Sequence, residues 1–177
     1  MESLQEEAFV TVIGIKIRRL IVYRAISSKI KGLKIKRLFE LLAKDVAEHL
    51  QSICTMIQDD EDVLANILGR NNTYADCNVR SLLDLIDENI TGEDALRIAL
   101  NEEKESVERF TLLVDRIGET PVHKVFVHIL DETNKQIDMI SAESHNLNMM
   151  KRKGSRNVNT GAAQTDVHSG ISGQFSC

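Results

Sequence analysis

The segment from Lys16 to Ile53 can be laid over the segment from Glu103 to Ile140 at one constant offset, the 87 residues that separate Lys16 from Glu103. At that offset LFELLAKDVAEHLQSI (38–53) falls on VFVHILDETNKQIDMI (125–140), so that Phe39 meets Phe126, Leu42 meets Ile129, Asp45 meets Glu132 and Ile53 meets Ile140. The preceding segments agree: Val12 falls on Ala99, Ile13 on Leu100, Leu20 on Val107 and Tyr23 on Phe110. A chain in which apolar positions repeat this way is built from one helical hairpin used twice. The positions where the copies disagree stand out against that background: Lys16 against Glu103, Val46 against Thr133, and His49 against Gln136.

With 177 residues and 42% hydrophobic content, the chain can bury the core of one domain. A single proline and nine glycines leave long charged runs without turn signals, which favours an all-α architecture over a sheet. Lys16, Arg18 and Arg19 interrupt the most apolar region, so no stretch reaches the roughly 18 to 20 apolar residues a membrane span requires. The N-terminus, MESLQEEAF, is acidic where a secretory signal is basic, and the expectation is a cytoplasmic chain. Cys54, Cys77 and Cys177 form no CxxC pair or zinc spacing and read as reduced thiols.

The first helix is expected from 3 to 28, with Phe9, Val12, Ile13, Leu20, Tyr23 and Ile26 at three- and four-residue steps. Its FVTVIGIKI run, rich in β-branched residues, would read as a strand in isolation, and the repeat decides for helix. Gly32 breaks the chain, and a second helix follows over 33–57 with Leu38, Leu42, Asp45, His49 and Ile53 on one stripe. Residues 58–90 form a long crossover containing DDED, VLANIL, GRNNTYADCN and a helical turn at SLLDLI. Thr91 caps the third helix, with Glu93 and Asp94 in its first turn, and Gly118 ends it. Thr120 caps the fourth, with Pro121 at its first position, and that helix is expected to run to His145. The folded domain is therefore expected at 3–145. Residues 146–177, rich in Gly, Ser, Asn and Thr, read as a flexible tail, and one through which a protein partner could be recognised.

Two hairpins joined by a long crossover make an antiparallel four-helix bundle of the ferritin-like kind, with the crossover between helices two and three. ALRIALNEEKESVERF (95–110) resembles the third helix of rubrerythrin-type ferritin-like proteins, and LFELLAKDVAEHLQSI resembles their second, where LFxxLAxxExxH is usual. The resemblance covers residues 6 to 143. It implies a di-iron site in the bundle centre, made from one Glu on each of two helices and a Glu-x-x-His pair on each of the others. Here the chain departs from the pattern: Lys16 stands where Glu is expected, Val46 precedes His49, and Thr133 precedes Gln136. Only Glu103 and His49 match.

An ammonium at Lys16 brings positive charge into a site that would hold cations, so the expectation is a polar core layer of Lys16, Asp45, His49, Glu103, Thr133 and Gln136 in place of metal, with Lys16 paired to Glu103 or Asp45. A register shifted by one would instead let Lys16 snorkel to the surface. A non-standard metal site is the alternative, in which Asp45, His49 and Glu103, joined by Glu48 or Glu102, hold a single ion. His123, His128, His145 and His168 show no ligand spacing. Walker, GxGxxG, GxSxG and HExxH motifs are absent.

Charge is polarised along the chain: 8–39 carries nine Lys or Arg and no acid, while 40–115 carries 18 acids against six bases. Solvated helix faces account for this in the simplest case. Self-association, with the basic half of one subunit against the acidic half of another, is the functional alternative, and dimers are common among ferritin-like bundles. The net charge of −5 argues against nucleic acid. The expected function is a binding, scaffold or assembly protein with no cofactor, rather than an enzyme. Its rival is an iron- or peroxide-handling protein of the rubrerythrin type with an altered ligand set.

Overall fold

In the computed structural model, the described residues are 4–57, 79–118, 120 and 122–160, with side chains described to 152; among them the only regular structure is helical. Four long helices form a bundle: α1 (Leu4–Lys29), α2 (Leu33–Ile57), α3 (Gly92–Ile117) and α4 (His123–Thr160). A short helical turn at 79–83 lies ahead of α3, close to the one expected at SLLDLI. The DDED, VLANIL and GRNNTYADCN segments of the crossover fall in the range 58–78, outside the described residues.

The FVTVIGIKI segment is helical because tertiary packing overrides the weak preference of β-branched residues. Ala8, Phe9, Val10, Val12, Ile13 and Ile15 are all buried, so α1 is covered on more than one side there. The turn to α2 is short: the Ile30 N–H donates to the Ile26 carbonyl at 2.9 Å, and the Lys36 N–H to the Gly32 carbonyl at 2.8 Å. Thr91 caps α3 as the sequence predicts, its Oγ1 accepting from the Asp94 N–H at 3.1 Å. Gly118 closes that helix at φ 58°, a left-handed region open to glycine without strain.

Helix α4 departs from expectation at both ends. The Thr120 hydroxyl caps nothing among the described residues; instead the Thr120 carbonyl accepts the His123 N–H at 3.0 Å, while Pro121 lies outside the described residues. At the far end the helix continues past His145 to Thr160. No glycine or proline intervenes before Gly154, Leu147 packs against the core beside Gly92, and Lys151 pairs with Glu93 at the start of α3. The first half of the expected tail is thus helix, and 161–177 lies outside the described residues.

The core has two apolar halves. One gathers Val22, Tyr23, Ile26, Phe39, Leu42, Val46, Leu96, Ala99 and Ile140, with the Tyr23 and Phe39 rings 5.7 Å apart. The other gathers Phe9, Val12, Ile13, Ile53, Phe110, Leu113, Phe126 and Ile129, with Phe9 and Phe126 in ring contact at 5.2 Å. The repeat is visible in burial: Phe39 and Phe126, Tyr23 and Phe110, and Val12 and Ala99 are pairwise inaccessible to solvent. Between the halves lies a layer of buried polar side chains.

Candidate functional site in the bundle core

The stripe along α1 that buries Val12, Tyr23 and Ile26 also carries Lys16 and Arg19, because steps of three and four residues keep one face of a helix. Both charged side chains are buried, at 1% and 0% exposure. From α3 the same geometry brings in Glu103, also 0% exposed, with Glu102 and Ser106 beside it. From α4 come Thr133 and Gln136.

The centre of this layer is an ion pair between Arg19 and Glu103. The Arg19 Nη2 donates to Glu103 Oε1 and to Gln136 Oε1, joining α1, α3 and α4, and the Tyr23 hydroxyl donates to the same Glu103 oxygen. The Arg19 guanidinium also lies 5.9 Å from the centroid of the Tyr23 ring. A second pair, Arg18 to Glu102 at 2.7 Å, lies at the edge of the layer. Three atoms of the central pair, Arg19 Nε, Arg19 Nη1 and Glu103 Oε2, are buried with no hydrogen-bond partner.

The expected pairing of Lys16 is corrected by this arrangement. Lys16 forms an ion pair with neither Glu103 nor Asp45; Arg19 takes the carboxylate instead. The reason is geometric. Arg116 near the end of α3 meets Glu7 near the start of α1 at 3.9 Å, so the two helices pass in opposite senses. Residues equivalent in the repeat then lie level only at the crossing point, and the residue across from Glu103 is one turn beyond Lys16.

Of the six residues expected in the layer, Lys16, Glu103, Thr133 and Gln136 are buried, whereas Asp45 and His49 are half-buried at its edge. Thr133 turns its hydroxyl to the Ile129 carbonyl at 2.8 Å, bonding within its own helix. Burial, and then the neighbouring Arg19, lower the Lys16 pKa to about 7, against the pull of Glu103 and Glu132. The His49 pKa is lowered by burial and then by Lys16. Burial raises the Glu103 pKa, and Arg19 and Tyr23 partly offset it.

These residues do not fit a di-iron centre, which requires several hard anionic oxygens to balance the ions. The buried layer offers two cations, Lys16 and Arg19, and two carboxylates that are already paired, Glu102 and Glu103, with Val46 and Thr133 where further carboxylates are needed. The single-ion set is not assembled either: Glu102 is engaged by Arg18, and Glu48 is exposed beside Lys44 at 3.6 Å. Among the described residues, no group of three or more His, Cys, Asp or Glu side chains is placed to hold a metal ion. Of the other histidines, His123 is half-buried, His128 and His145 are exposed, and His168 lies outside the described residues. Cys54 is a free, half-buried thiol. No helix among the described residues is long and apolar enough to cross a membrane.

Sequence reasoning misses Arg19 and the Tyr23 hydroxyl. The signal is present: Arg19 lies three residues after Lys16 and four before Tyr23, on the buried stripe itself. The Rubrerythrin family model matches residues 19–139, from Arg19 to a point well along α4. No curated protein and no solved structure matches the chain.

Proposed function

The chain belongs to the rubrerythrin family, and we propose that within it this protein has exchanged the metal centre for an ion-pair layer and serves as a binding, scaffold or assembly protein rather than a di-iron oxidase or peroxidase. The observation that supports this reading is the Arg19 guanidinium bonded at once to Glu103 and Gln136, two positions at which the family places ligands. A guanidinium is charged at any physiological pH and presents fixed donors, so it neutralises a buried carboxylate without an ion from solution. The partner in this reading is a second copy of the chain, the basic 8–39 region of one subunit meeting the acidic 40–115 region of another.

The retention of Glu103 and half-buried His49 favours the rival reading, an iron-handling member with an altered ligand set. Elemental analysis separates the two. The protein, purified without chelators from iron- and zinc-supplemented cells, is expected to carry almost no metal. A content of about one or two ions per chain, as a di-metal carboxylate bundle holds, would overturn the proposal.

A further inference from the structure

The charged layer does not balance. Its fully buried members are two cations, Lys16 and Arg19, and one carboxylate, Glu103. Arg19 takes that carboxylate through Nη2, leaving its Nε and Nη1 buried and unpartnered. Lys16 forms no ion pair with any described acid, although Glu103 and Glu132 both exert a pull on it. Arg19 with two buried free donors, Lys16 without an ion pair to any described acid and one engaged acid make a setting that repels metal ions and attracts an anion.

Resting on the reading of this layer as a replacement for the metal centre, we propose that it is a binding site for one small monovalent anion, held between the unpartnered donors of Arg19 and the Lys16 ammonium. Such an ion supplies what a water molecule cannot, a negative charge opposite the surplus cation, and the lone pairs of the same ion meet buried N–H groups. Glu103 Oε2, the unpartnered acceptor in the same layer, sets the limit on charge: it repels a dianion and confines the ligand to ions of the chloride or nitrate class.

Occupancy is coupled to a proton. Burial and Arg19 lower the Lys16 pKa to about 7, so that only part of the amine is charged at neutral pH, and an anion beside it favours the charged form. The groups that bear on this amine are Arg19 on α1, His49 with Asp45 behind it on α2, Glu103 on α3, and Glu132 with His128 beside it on α4. Anion affinity therefore weakens as pH rises through 7.

The test is thermal unfolding of the full chain at fixed ionic strength while sodium gluconate is replaced stepwise by sodium chloride, at pH 6.5 and at pH 9. The expected result is a midpoint that rises with chloride and saturates at pH 6.5, with an apparent affinity at least about tenfold weaker at pH 9. Lys16→Met should abolish the response; should that variant not fold, Lys16→Gln replaces it. Chloride-35 line broadening by the folded parent, absent with the variant, is expected alongside. A flat midpoint, a response equal at both pH values, or a response retained without Lys16 would overturn the proposal. Metal content measured on the same preparation separates the failures: no metal and no chloride response overturns the anion site alone, whereas bound iron overturns the reading on which it rests.

Discussion

The apolar halves of the bundle and the polar layer between them have had different fates under the same repeat. In the halves the two copies remain interchangeable: Phe39 and Phe126, Leu42 and Ile129, and Ile53 and Ile140 are buried in pairs. In the layer the copies have diverged at each family-ligand position, with Lys16 against Glu103, Val46 against Thr133 and His49 against Gln136. Packing tolerates any apolar residue of suitable volume, so symmetry there is easily kept. A charged layer has less freedom, because burying a charge is costly unless a partner offsets it. On the proposed reading, the contrast teaches that the fold of this family can be kept by its apolar halves while the centre is rebuilt around a salt bridge.

The sharpest way to break the comparison is to remove one member of the central pair. Arg19→Leu leaves the Glu103 carboxylate buried and unpaired, and should lower the unfolding free energy in urea by about 3 to 5 kcal/mol. In the apolar half, Leu42→Ala should cost about 2 to 5 kcal/mol, by lost burial and a cavity. A loss at Arg19 well below that at Leu42 would show that the layer is no more than filler.

Lys16 gives the layer a pH signature that the apolar halves lack. Its folded pKa of about 7 lies below the unfolded value of 10.5, so between these values the unfolded chain binds more protons than the native one. Stability should therefore rise as pH rises from about 7 toward 10.5, by as much as a few kcal/mol, because each pH unit in that window contributes about 1.4 kcal/mol. Urea unfolding at pH 7 and 9 should show the rise in the parent and lose it in Lys16→Met. Equal slopes in both proteins would place the effect elsewhere.

Smaller effects are expected outside both regions. Thr91→Ala removes the α3 cap and should cost about 1 kcal/mol by the same assay. Lys151→Ala breaks an exposed pair with Glu93 and should cost no more than about 1 kcal/mol, a size that matches a contact in water rather than in the core.

The difference between the regions also explains what was legible in the sequence. The all-α bundle and the Thr91 and Gly118 caps were readable because apolar spacing and capping chemistry are local signals. The family was readable from the second and third helices for the same reason. The partner of Glu103 was not, because the level at which two helices cross is a tertiary property, and the repeat offset aligns equivalent residues rather than facing ones. Arg19 reads as an interruption of an apolar run although its spacing places it on the buried face. The extension of α4 beyond His145 is hidden by its polar composition; Leu147 and Lys151 anchor it through contacts with α3 and the core that composition does not reveal.

The measurement that tests the central claim most directly is a double-mutant cycle on Arg19 and Glu103, read by urea unfolding of the parent, Arg19→Leu, Glu103→Leu and the double variant. The account predicts that each single change costs about 3 to 5 kcal/mol while the double variant lies close to the parent, because two apolar side chains can replace a buried ion pair without leaving a charge behind. Single costs that are small and simply add in the double variant would contradict it, and would mean that the layer is not held together by this ion pair.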